Sequence, residues 1–482
     1  MVAKTFPPEF HPLRQETNRQ VLAAANEFGC KVYLIGGYIR DALLERFDEQ
    51  HRPKDFDYTV LNGSAIDLAR HLQNRCGGHF VLLDTENDTA RVVLENGIQI
   101  DLAGCVGGKL ETDIQRRDLT INALAWDPAD PDSIIDQVAG LDDLDSKMVR
   151  AISEASFADD PLRLMRAFRF AAALDFRMES RTREFVVKHA ALLSGLAAER
   201  VSYELFAIME TPLAAVTIRS MGEAALLEQI FPELLAMHRV PPNSYHHLPL
   251  YDHSMEALKQ AENALSELPE WAREQIMMPL SQQTTRFAAA KLASLLHDVG
   301  KPDTWNVTPE GKHTFISHDK LGAEMCDVIG RRLKWSRPVE RFISNLVRWH
   351  LRPGALFHQG PPTERAVHRF YRTVSDDLPE LILLALADFR ATCGPGLKEG
   401  RELLENQLRE LLTGYVVFRE GQKKNSRLLD GADVMQLLGI EPGPIVGEIL
   451  DELEEAQGLR EIVNKQQAET FVKNRFQQKY SS

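Results

Sequence analysis

Two aspartates that stand two residues apart give this sequence its clearest sign of chemistry. Asp55 and Asp57 lie in the run Lys-Asp-Phe-Asp-Tyr-Thr-Val, and the alternation of a strand places both carboxylates on one face and Phe56 on the other. Like charges on one face repel each other, which is costly for a strand that serves structure alone. Divalent cations prefer hard oxygen ligands and bridge nucleotide phosphates, so we predict a metal pair at these carboxylates.

Two further features accompany this aspartate pair. Gly36 and Gly37 follow the apolar run 31–35 and open a predicted helix, where free backbone N–H groups would hold phosphate oxygens and Arg40 would add a charged fork. A tight turn without a ligand is the alternative, because glycine is the default residue wherever φ is positive. Asp101, on a later predicted strand, is either a third metal ligand or an aspartate at a strand end.

A carboxylate and a guanidinium further along the chain have the spacing of a base-reading pair. Pro161 marks the first turn of a helix, so Asp160 and Arg163 lie three residues apart on one face and offer an acceptor beside a donor fork. Cytosine and adenine present an amino donor beside a ring-nitrogen acceptor, whereas uracil and guanine reverse this pattern. The pair therefore predicts selection of C and A. An acidic helix start followed by a surface arginine stripe is the alternative.

A second group of metal-capable residues follows in the later half of the chain. His297 and Asp298 end the apolar helical run 288–296, and adjacent ligands need partners from elsewhere in the fold. The sequence offers His253, His318, His350 and Asp388. Imidazole ligands suit Mn, Fe, Ni or Zn, so the ligand types do not fix the metal. Histidines that merely satisfy a core are the alternative, and His246 and His247 lie nearby without an assigned role.

The elements that must position these residues change type along the chain. We predict strands at 31–35, 55–61, 80–83, 91–94 and 98–102, and helices at about 37–47, at 65–75 and beginning near 113–125. After about Ser153, apolar residues three and four apart replace strand-like alternation and predict a long all-helical arm. Proline and glycine interrupt the helical periodicity at 239–243, 353–362 and 394–396. The chain is thus an α/β unit with a small sheet, followed by helices.

Composition excludes several classes of protein. A chain of 482 residues, 44% apolar and 26% charged, is globular, and its length predicts about three domains. Five scattered cysteines without a CxxC pair exclude a disulfide framework or zinc ribbon and favour a cytoplasmic protein. No apolar run approaches the roughly 18 residues of a membrane span. A net charge of −14 argues against coating nucleic acid by overall charge, although a local basic stripe could hold a phosphate backbone.

The motifs jointly carry a resemblance to a known family. The segments GGYIRD, at 36–41, and DFDY, at 55–58, resemble the catalytic head of the class II tRNA nucleotidyltransferase and bacterial poly(A) polymerase family, within the DNA polymerase β-type superfold. Residues 113–123 are similar to the family's ribose-reading motif, and residues 159–169 to its base-reading motif, with Asp159 in place of the usual glutamate. The segments 198–201 and 428–447 resemble the family's neck and tail.

This resemblance implies a fold, a division into domains and a set of binding residues. The fold is an α/β head with a small mixed sheet, followed by an all-α neck, an HD domain and a tail. We place the head at 1–150, the neck at 151–238, the HD domain at 239–395 and the tail at 396–482. The implied nucleotide-binding residues are Gly36, Gly37, Arg40, Arg117, Asp118, Asn122, Asp160, Arg163 and Arg166. Asp118 is an acceptor suited to a ribose 2′-hydroxyl.

The histidine set has a resemblance of its own. The order H…HD…H…H…D looks like the HD phosphohydrolase superfamily, in which a metal-bound water attacks phosphorus. The resemblance implies one metal at His253, His297, Asp298 and Asp388, and a second at His318 and His350. The metal would be Mn, Ni, Fe, Zn or Mg²⁺. A module that persists only as a scaffold is the alternative.

Together these patterns predict an enzyme that adds C and A, or only A, to the 3′ end of tRNA from CTP and ATP without a nucleic-acid template. Mg²⁺ at Asp55 and Asp57 would serve the transfer, and a tethered HD domain would act as a phosphodiesterase or phosphatase. One alternative is a poly(A) polymerase with the same head. Another is an HD phosphohydrolase whose head only binds tRNA. The partners are tRNA and nucleotides, with no membrane, and the oligomeric state is left open.

Overall fold

The computed structural model describes residues 5–48, 52–243, 246–392, 401–424 and 427–480. The contacts within the chain divide it into two compact units. The first unit is Met1–Leu213 with Ser220–Ile230, and the second is Ala214–Arg219 with Phe231–Ser482. The boundary that we predict at 395/396, and the glycine-rich break at 394–396, lie outside the described residues.

A seven-stranded mixed sheet forms the centre of the first unit, in the order β3-β4-β5-β2-β1-β6-β7. Its strands are β1 (Lys31–Ile35), β2 (Asp55–Leu61), β3 (His79–Asp84), β4 (Thr89–Val93), β5 (Gln99–Gly104), β6 (Ala125–Trp126) and β7 (Ile134–Ile135). β2 and β5 pair in parallel, and the other neighbours pair antiparallel. The mixed sheet and the bounds of β1 and β2 confirm the sequence-based prediction.

The two faces of this sheet differ in character because side chains alternate along each strand. Phe56 and Tyr58 of β2 point into the main core, where they pack with residues of the first and third helices such as Val21 and Leu68. Asp55 and Asp57 therefore share the opposite face, which carries a smaller apolar cluster around Ile35. The predicted separation of the two carboxylates from Phe56 is what the structure shows.

Helices cover the sheet and continue beyond it. They are α1 (Glu16–Phe28), α2 (Gly37–Leu43), α3 (Ala65–Cys76), α4 (Leu110–Gln115), α5 (Gly140–Asp145), α6 (Ala155–Asp159), α7 (Leu162–Leu174), α8 (Ser180–His189), α9 (Ala198–Met209), α10 (Ala214–Glu223) and α11 (Leu227–Ile230). Two short strands, β8 (Met148–Val149) and β9 (Arg177–Met178), pair in parallel. α7 packs along α9.

Two sequence-based predictions for this region are wrong in part. The helix expected to begin near 113–125 is instead α4, a 3₁₀ turn at Thr120–Asn122 and strand β6. Residues 119–125 of this segment are all buried beside the sheet, and tertiary packing overrides the local helical pattern. Strands also do not vanish after Ser153, because β9 pairs with β8 and a hairpin occurs in the second unit.

The second unit is helical apart from one hairpin, β10 (Trp305–Val307) with β11 (His313–Phe315), within the described residues. Its first helices are α12 (Leu234–Met237), α13 (Leu250–Ala264), α14 (Glu270–Ile276), α15 (Arg286–Leu296), α16 (Lys301–Thr304), α17 (His318–Arg332), α18 (Arg337–Trp349) and α19 (Arg352–Ala355). The later ones are α20 (Glu364–Val374), α21 (Leu378–Thr392), α22 (Arg401–Lys424), α23 (Gly431–Leu438), α24 (Pro444–Gly458) and α25 (Lys465–Tyr480).

The interior of this unit is built on helices that are apolar all round. α15 and α21 carry long buried runs and pack with α13, and the sequence predicts the run of α15 at 288–296. α23, α24 and α25 close a separate core around Val434 and Leu453. Cys30, Cys76, Cys105 and Cys326 are free thiols, and Cys393 lies outside the described residues. Within the described ranges, no helix combines the length and the apolar character that crossing a membrane requires.

Candidate active sites

The first site lies where β1 ends and α2 begins, beside β2. Gly36 has a φ of 85° and a ψ of −128°, a conformation that glycine alone adopts without strain. A Cβ built on Gly36 would lie 3.7 Å from Oδ2 of Asp57 and 3.9 Å from Nη1 of Arg117. The missing side chain leaves a cradle between a carboxylate and a guanidinium. The N–H of Gly36 itself donates to the carbonyl of Leu124 at 3.0 Å, so it is not available to a phosphate.

The two carboxylates of β2 are held in an environment that disfavours their charge. Burial, with Asp101 nearby, raises the pKa of Asp57 to about 6. Loss of surrounding water also raises the pKa of Asp55, against the opposing effect of Arg91. In the part of the chain that the structure describes, Asp57 accepts no hydrogen bond and forms no ion pair. A half-buried carboxylate without a protein partner suits a cation ligand.

Asp101 stands directly beside Asp57, because the parallel pairing of β2 and β5 aligns these two residues. Across the next strand, Arg91 of β4 faces Asp101 in register. Arg91 donates from Nε to Oδ1 of Asp101 at 2.6 Å and from Nη2 to Oδ2 at 2.8 Å. From the sequence, Asp101 is either a third metal ligand or an aspartate at a strand end. In the structure, both of its carboxylate oxygens accept hydrogen bonds from Arg91.

Arg117 approaches the cradle from the end of α4. Its Nη2 donates to Oγ1 of Thr59 at 3.2 Å and to Oδ2 of Asp113 at 3.2 Å. Thr59 in turn donates to Asp113 at 3.0 Å. These contacts fix the guanidinium while its Nη1 faces Gly36. Arg117 is therefore placed to donate to a negatively charged group in the cradle.

Four of the predicted nucleotide-binding residues form one chain of hydrogen bonds. Arg40 donates from Nη1 to Oδ1 of Asn122 at 2.5 Å, and Asn122 donates from Nδ2 to Oδ1 of Asp118 at 3.3 Å. Oδ2 of Asp118 accepts from Nε of Arg166 at 2.7 Å. Although burial opposes ionisation, Arg166 and these hydrogen bonds lower the pKa of Asp118 to about 2. This series of hydrogen bonds connects α7 to the part of the first unit that contains the sheet.

The remaining contacts of Arg40 and Asp118 bear on their predicted roles. Arg40 is buried and also donates to both carboxylate oxygens of its neighbour Asp41. Asp118 is buried as well, and its Oδ1 also accepts from the N–H of Leu119. The structure thus places both side chains where they hold other residues of the site. The predicted binding roles of Arg40 at phosphate and Asp118 at ribose remain predictions.

The predicted base-reading pair lies at the start of α7. Arg163 donates from Nη1 to the carbonyls of Arg116 at 2.7 Å and Ser156 at 3.2 Å. Its Nε and Nη2 have no hydrogen-bond partner among the described residues. Asp160 accepts from Nη2 of Arg200 at 2.9 Å and from the N–H of Leu162 at 3.2 Å. Donor groups of Arg163 are therefore free for a ligand, and Arg200 holds Asp160 in place.

The second site gathers six side chains in the interior of the second unit. Three of its histidines donate from Nδ1 to a backbone carbonyl three residues earlier: His297 to Ser294 at 2.9 Å, His318 to Phe315 at 2.7 Å and His350 to Val347 at 2.7 Å. A proton held on Nδ1 leaves a lone pair on Nε2, which is the tautomer of a metal ligand. All three Nε2 atoms contact Asp298, at 3.2, 3.3 and 3.7 Å respectively.

Asp298 divides this site into two halves. Its Oδ2 lies 3.4 Å from Nε2 of His253 and 3.2 Å from Nε2 of His297, and Oδ1 of Asp388 lies 3.2 Å from Nε2 of His253. Its Oδ1 lies on the other side, next to His318 and His350. The two halves bring together the residues of the two ligand sets that the HD resemblance implies, and their role as ligands remains a prediction. Both oxygens of Asp298 are buried and lie against the Nε2 atoms of four histidines, so the donor set fits divalent cations.

Charged neighbours explain the electrostatics of this second site. Against the effect of burial, Asp298 and Asp388 raise the pKa of His297 to about 10. Burial and His297 lower the pKa of His350 to about 4. Nζ of Lys301 lies 2.5 Å from Oδ2 of Asp298 and 3.2 Å from Nε2 of His246. The two carboxylates thus create a negative field that favours positive charge in the interior, which is the field that would hold metal ions.

Sequence reasoning missed several residues that hold these sites together. They are Thr59, Arg91, Asp113, Arg200, Glu204 and Lys301. Thr59 had a readable signal, since it follows Asp57 by two residues and shares its face of β2. Lys301, three residues after Asp298, had a similar signal. The contacts of Arg91 and Arg200 depend on strand register and on helix packing, which no local pattern encodes.

Comparisons with protein-family models match three segments of the chain. Residues 32–150 match the poly A polymerase head domain, and residues 250–391 match the HD domain. Residues 175–237 match a model described as "Probable RNA and SrmB- binding site of polymerase A". The segment that matches the head domain contains the cradle at Gly36, and the segment that matches the HD domain contains the histidine site.

Curated relatives and solved structures agree with these matches. The chain is 33% identical over 446 residues to an A-adding tRNA nucleotidyltransferase of Deinococcus radiodurans, covering 91% of this chain and 94% of the relative. It is 32% identical over 448 residues to a CC-adding tRNA nucleotidyltransferase of Thermus thermophilus, covering 91% and 92%. A Thermotoga maritima CCA-adding enzyme complexed with tRNA has the same fold, with a TM-score of 0.61, 22% identity and 95% of each chain covered.

These similarities extend over nearly the whole chain and confirm the resemblance carried by the motifs at 36–41, 55–58 and 113–123. They also confirm the fold class, an α/β head with a mixed sheet followed by helices that include an HD domain. The chain belongs to the tRNA nucleotidyltransferase family and is a nucleotidyltransferase with an HD domain.

Proposed function

We propose that this enzyme adds C and A, or A alone, to the 3′ end of tRNA, with CTP and ATP as donors and protein side chains as the template. One observation carries the proposal. Within the described ranges, Nε and Nη2 of Arg163 have no partner, and the helix that carries Arg163 is held by the contact of Arg166 with Asp118. A base read at the start of α7 would have its phosphates directed towards Gly36. The names of the relatives, which are A-adding and CC-adding enzymes, support the same reaction class.

The transfer site would work as follows. Asp55 and Asp57 would hold Mg²⁺, which supplies charge neutralisation at the reacting phosphate and at the leaving pyrophosphate. Gly36 leaves room for the triphosphate, and Arg117 donates from Nη1 to its oxygens. The 3′-hydroxyl of tRNA gives its proton to water, its oxygen bonds to the α-phosphorus, and the bond between the α-phosphorus and the oxygen shared with the β-phosphorus breaks, so that pyrophosphate leaves. Nucleotidyltransferase domains normally work with divalent metals.

Base choice would rest on Asp160 and Arg163. Asp160 would accept from the amino group of C or A, and Arg163 would donate to the ring nitrogen beside it. With uracil or guanine, a carbonyl of the base would face the acceptor Asp160, and a ring N–H of the base would face the donor Arg163. Such a mismatch leaves two polar groups unpaired, which costs about 1–3 kcal/mol for each group. This difference is sufficient to exclude the wrong bases.

We propose that the HD site hydrolyses phosphate esters. HD domains normally use divalent metals, and the two ligand sets here would hold such ions, with Asp298 in both sets. His253, His297, Asp298 and Asp388 would bind one ion, and His318 and His350 would bind the other with Asp298. The identity of the ion is proposed as Mn, Ni, Fe, Zn or Mg²⁺, since imidazole and carboxylate ligands accept this range.

A pair of variants tests whether the two activities belong to separate sites. Asp55→Ala removes a proposed ligand of the transfer site, so nucleotide incorporation should fall below detection while phosphoesterase activity on a generic substrate is retained. Asp298→Asn should have the reverse effect, because it removes the bridging carboxylate. Both activities are measured on the same protein preparations, and circular dichroism checks the fold. Equal loss of both activities in either variant would contradict separate sites.

A further inference from the structure

We propose that Arg91 acts as an internal cation that withholds Asp101 from the metal site of the transferase and so keeps that site poor in metal until a nucleotide arrives. The inference rests on the proposed transfer site. It assigns Arg91 as a positioning residue, since the side chain acts through Asp101.

The register of three neighbouring strands sets up the competition. Asp101 of β5 lies opposite Asp57 of β2 on one side and opposite Arg91 of β4 on the other. Side chains directly opposite on adjacent strands share one face and lie within contact distance. Asp101 therefore has a carboxylate on one side and a guanidinium on the other.

The geometry shows which neighbour Asp101 takes. Both of its oxygens accept from Arg91, at 2.6 and 2.8 Å, in the parallel two-bond arrangement that makes arginine–carboxylate pairs strong. The side chains of Arg91 and Asp101 are 36% and 29% exposed, so the pair is partly shielded from water. Among the described residues, groups in which three metal-capable ligand atoms lie within 4.8 Å of one another occur only in the second unit. The three carboxylates of the transfer site are not drawn together.

This arrangement has a chemical consequence for metal loading. With Asp101 held by Arg91, the protein offers a divalent ion only the carboxylates of Asp55 and Asp57. Two carboxylates bind Mg²⁺ weakly, because this ion keeps several waters and needs the phosphates of its nucleotide to complete its shell. The positive charge of Arg91 also lies near both aspartates and opposes a second cation there. Metal binding is thereby coupled to nucleotide binding.

The test measures Mn²⁺ bound by the full-length protein without nucleotide or tRNA, from the loss of the free-ion EPR signal. Each variant is also made with Asp57→Asn, which removes the transfer site. The Mn²⁺ bound by that second protein belongs to all other sites, including the HD site, and is subtracted from the Mn²⁺ bound by the first. Arg91→Met should tighten binding at the transfer site by about tenfold or more, because Asp101 is released to the metal. Arg91→Met combined with Asp101→Asn should return to the affinity of the unaltered protein.

Two further variants separate this role from a structural one. Arg91→Lys keeps a cation next to Asp101 and should leave the Mn²⁺ affinity close to that of the unaltered protein. Asp101→Asn alone should change it little. Thermal unfolding of every variant checks the fold. An unchanged or weaker affinity in Arg91→Met, or a large loss in Asp101→Asn, would overturn the proposal, since Asp101 would then be a ligand with Arg91 in place. The measurement uses no incorporation assay, so its outcome is independent of which nucleotide the enzyme adds.

Discussion

Two aspartates of the first unit have opposite electrostatic environments, and the difference bears on their predicted roles. Burial raises the pKa of Asp57 to about 6, and no hydrogen bond compensates it among the described residues. Asp118 is also buried, yet Arg166 and hydrogen bonds from Leu119 and Asn122 lower its pKa to about 2. A carboxylate left without a partner is stabilised by a ligand, whereas one with several donors holds other residues in place. Asp57 belongs to the first kind and Asp118 to the second.

The raised pKa of Asp57 predicts a pH dependence of metal binding. In the metal-free protein this carboxyl is protonated below about pH 6, so the affinity of the transfer site for Mn²⁺ should fall as the pH is lowered through 6. Titration of Mn²⁺ by EPR between pH 5 and 8, with Asp57→Asn subtracted, would measure it. An affinity that is constant over this range would contradict the assigned environment of Asp57.

The same shift has a consequence for stability. Because the folded-state pKa lies above the ordinary value of 3.8, the folded protein binds the proton more tightly, and ionisation of Asp57 destabilises the fold increasingly as the pH rises from about 4 to about 6. At pH 7.5, Asp57→Asn should therefore raise the free energy of unfolding by about 1–3 kcal/mol. At pH 4 the gain should vanish. Thermal unfolding of both proteins at the two pH values gives the comparison.

Arg200 is predicted to position the base-reading carboxylate. Its ion pair with Asp160 is half exposed, and exposed pairs contribute up to about 1 kcal/mol, so Arg200→Met should raise the KM for CTP and ATP by about fivefold with little change in kcat. The relative use of UTP and GTP should rise, which a merely structural change would not produce. Arg177→Met, another exposed arginine of the first unit, serves as the matched control. A loss of kcat with unaltered base selectivity would refute the role.

At the scale of elements, α7 and α9 act as a braced pair that carries the base-reading residues. Nε of Arg169 donates to Oε2 of Glu204 at 2.6 Å, and Glu204 is only 2% exposed. Arg166, which also contacts Glu204 at 3.9 Å, links this brace to Asp118. The direction of α7, and with it the placement of Arg163, depends on these contacts.

A substitution in the brace tests this dependence. Glu204→Gln keeps the size of the side chain but removes its charge, so the free energy of unfolding should fall by about 1–3 kcal/mol. Glu199→Gln on the exposed side of the same helix should change it by less than about 0.5 kcal/mol. Denaturant unfolding of the two variants measures both values. Equal free energies of unfolding for Glu204→Gln and Glu199→Gln would show that α7 and α9 are held together by apolar packing alone.

The sequence predicts some elements well and others poorly, for physical reasons. β1 and β2 have the predicted bounds because their alternation coincides with a half-buried sheet. The segment 113–125 is mistaken for a single helix because its residues 119–125 are buried beside the sheet, which local spacing does not reveal. The six residues predicted as HD ligands come from their order along the chain and its resemblance to the HD superfamily, and the structure brings them together. Arg91 is missed because its contact is set by strand register.

At the scale of the whole molecule, one chain carries two sets of metal-capable residues in two separate units. The cradle at Gly36 lies in the first unit and the site around Asp298 lies in the second. The net charge of −14 means that RNA must be bound by local arrangements of basic residues rather than by the overall charge. Binding of tRNA should therefore weaken with salt, and incorporation at subsaturating tRNA should fall as ionic strength rises.

The most direct test of the account is incorporation of labelled ATP and CTP, separately and together, into tRNA transcripts that end at the discriminator base, at C and at CC. A generic RNA serves as the control. The account predicts that ATP enters tRNA ending in CC, and that CTP either precedes it in order on the shorter transcripts or is not used. Long A tails on the generic RNA would mean a poly(A) polymerase instead. Incorporation of CTP without any ATP, or of neither nucleotide, would contradict the proposed function.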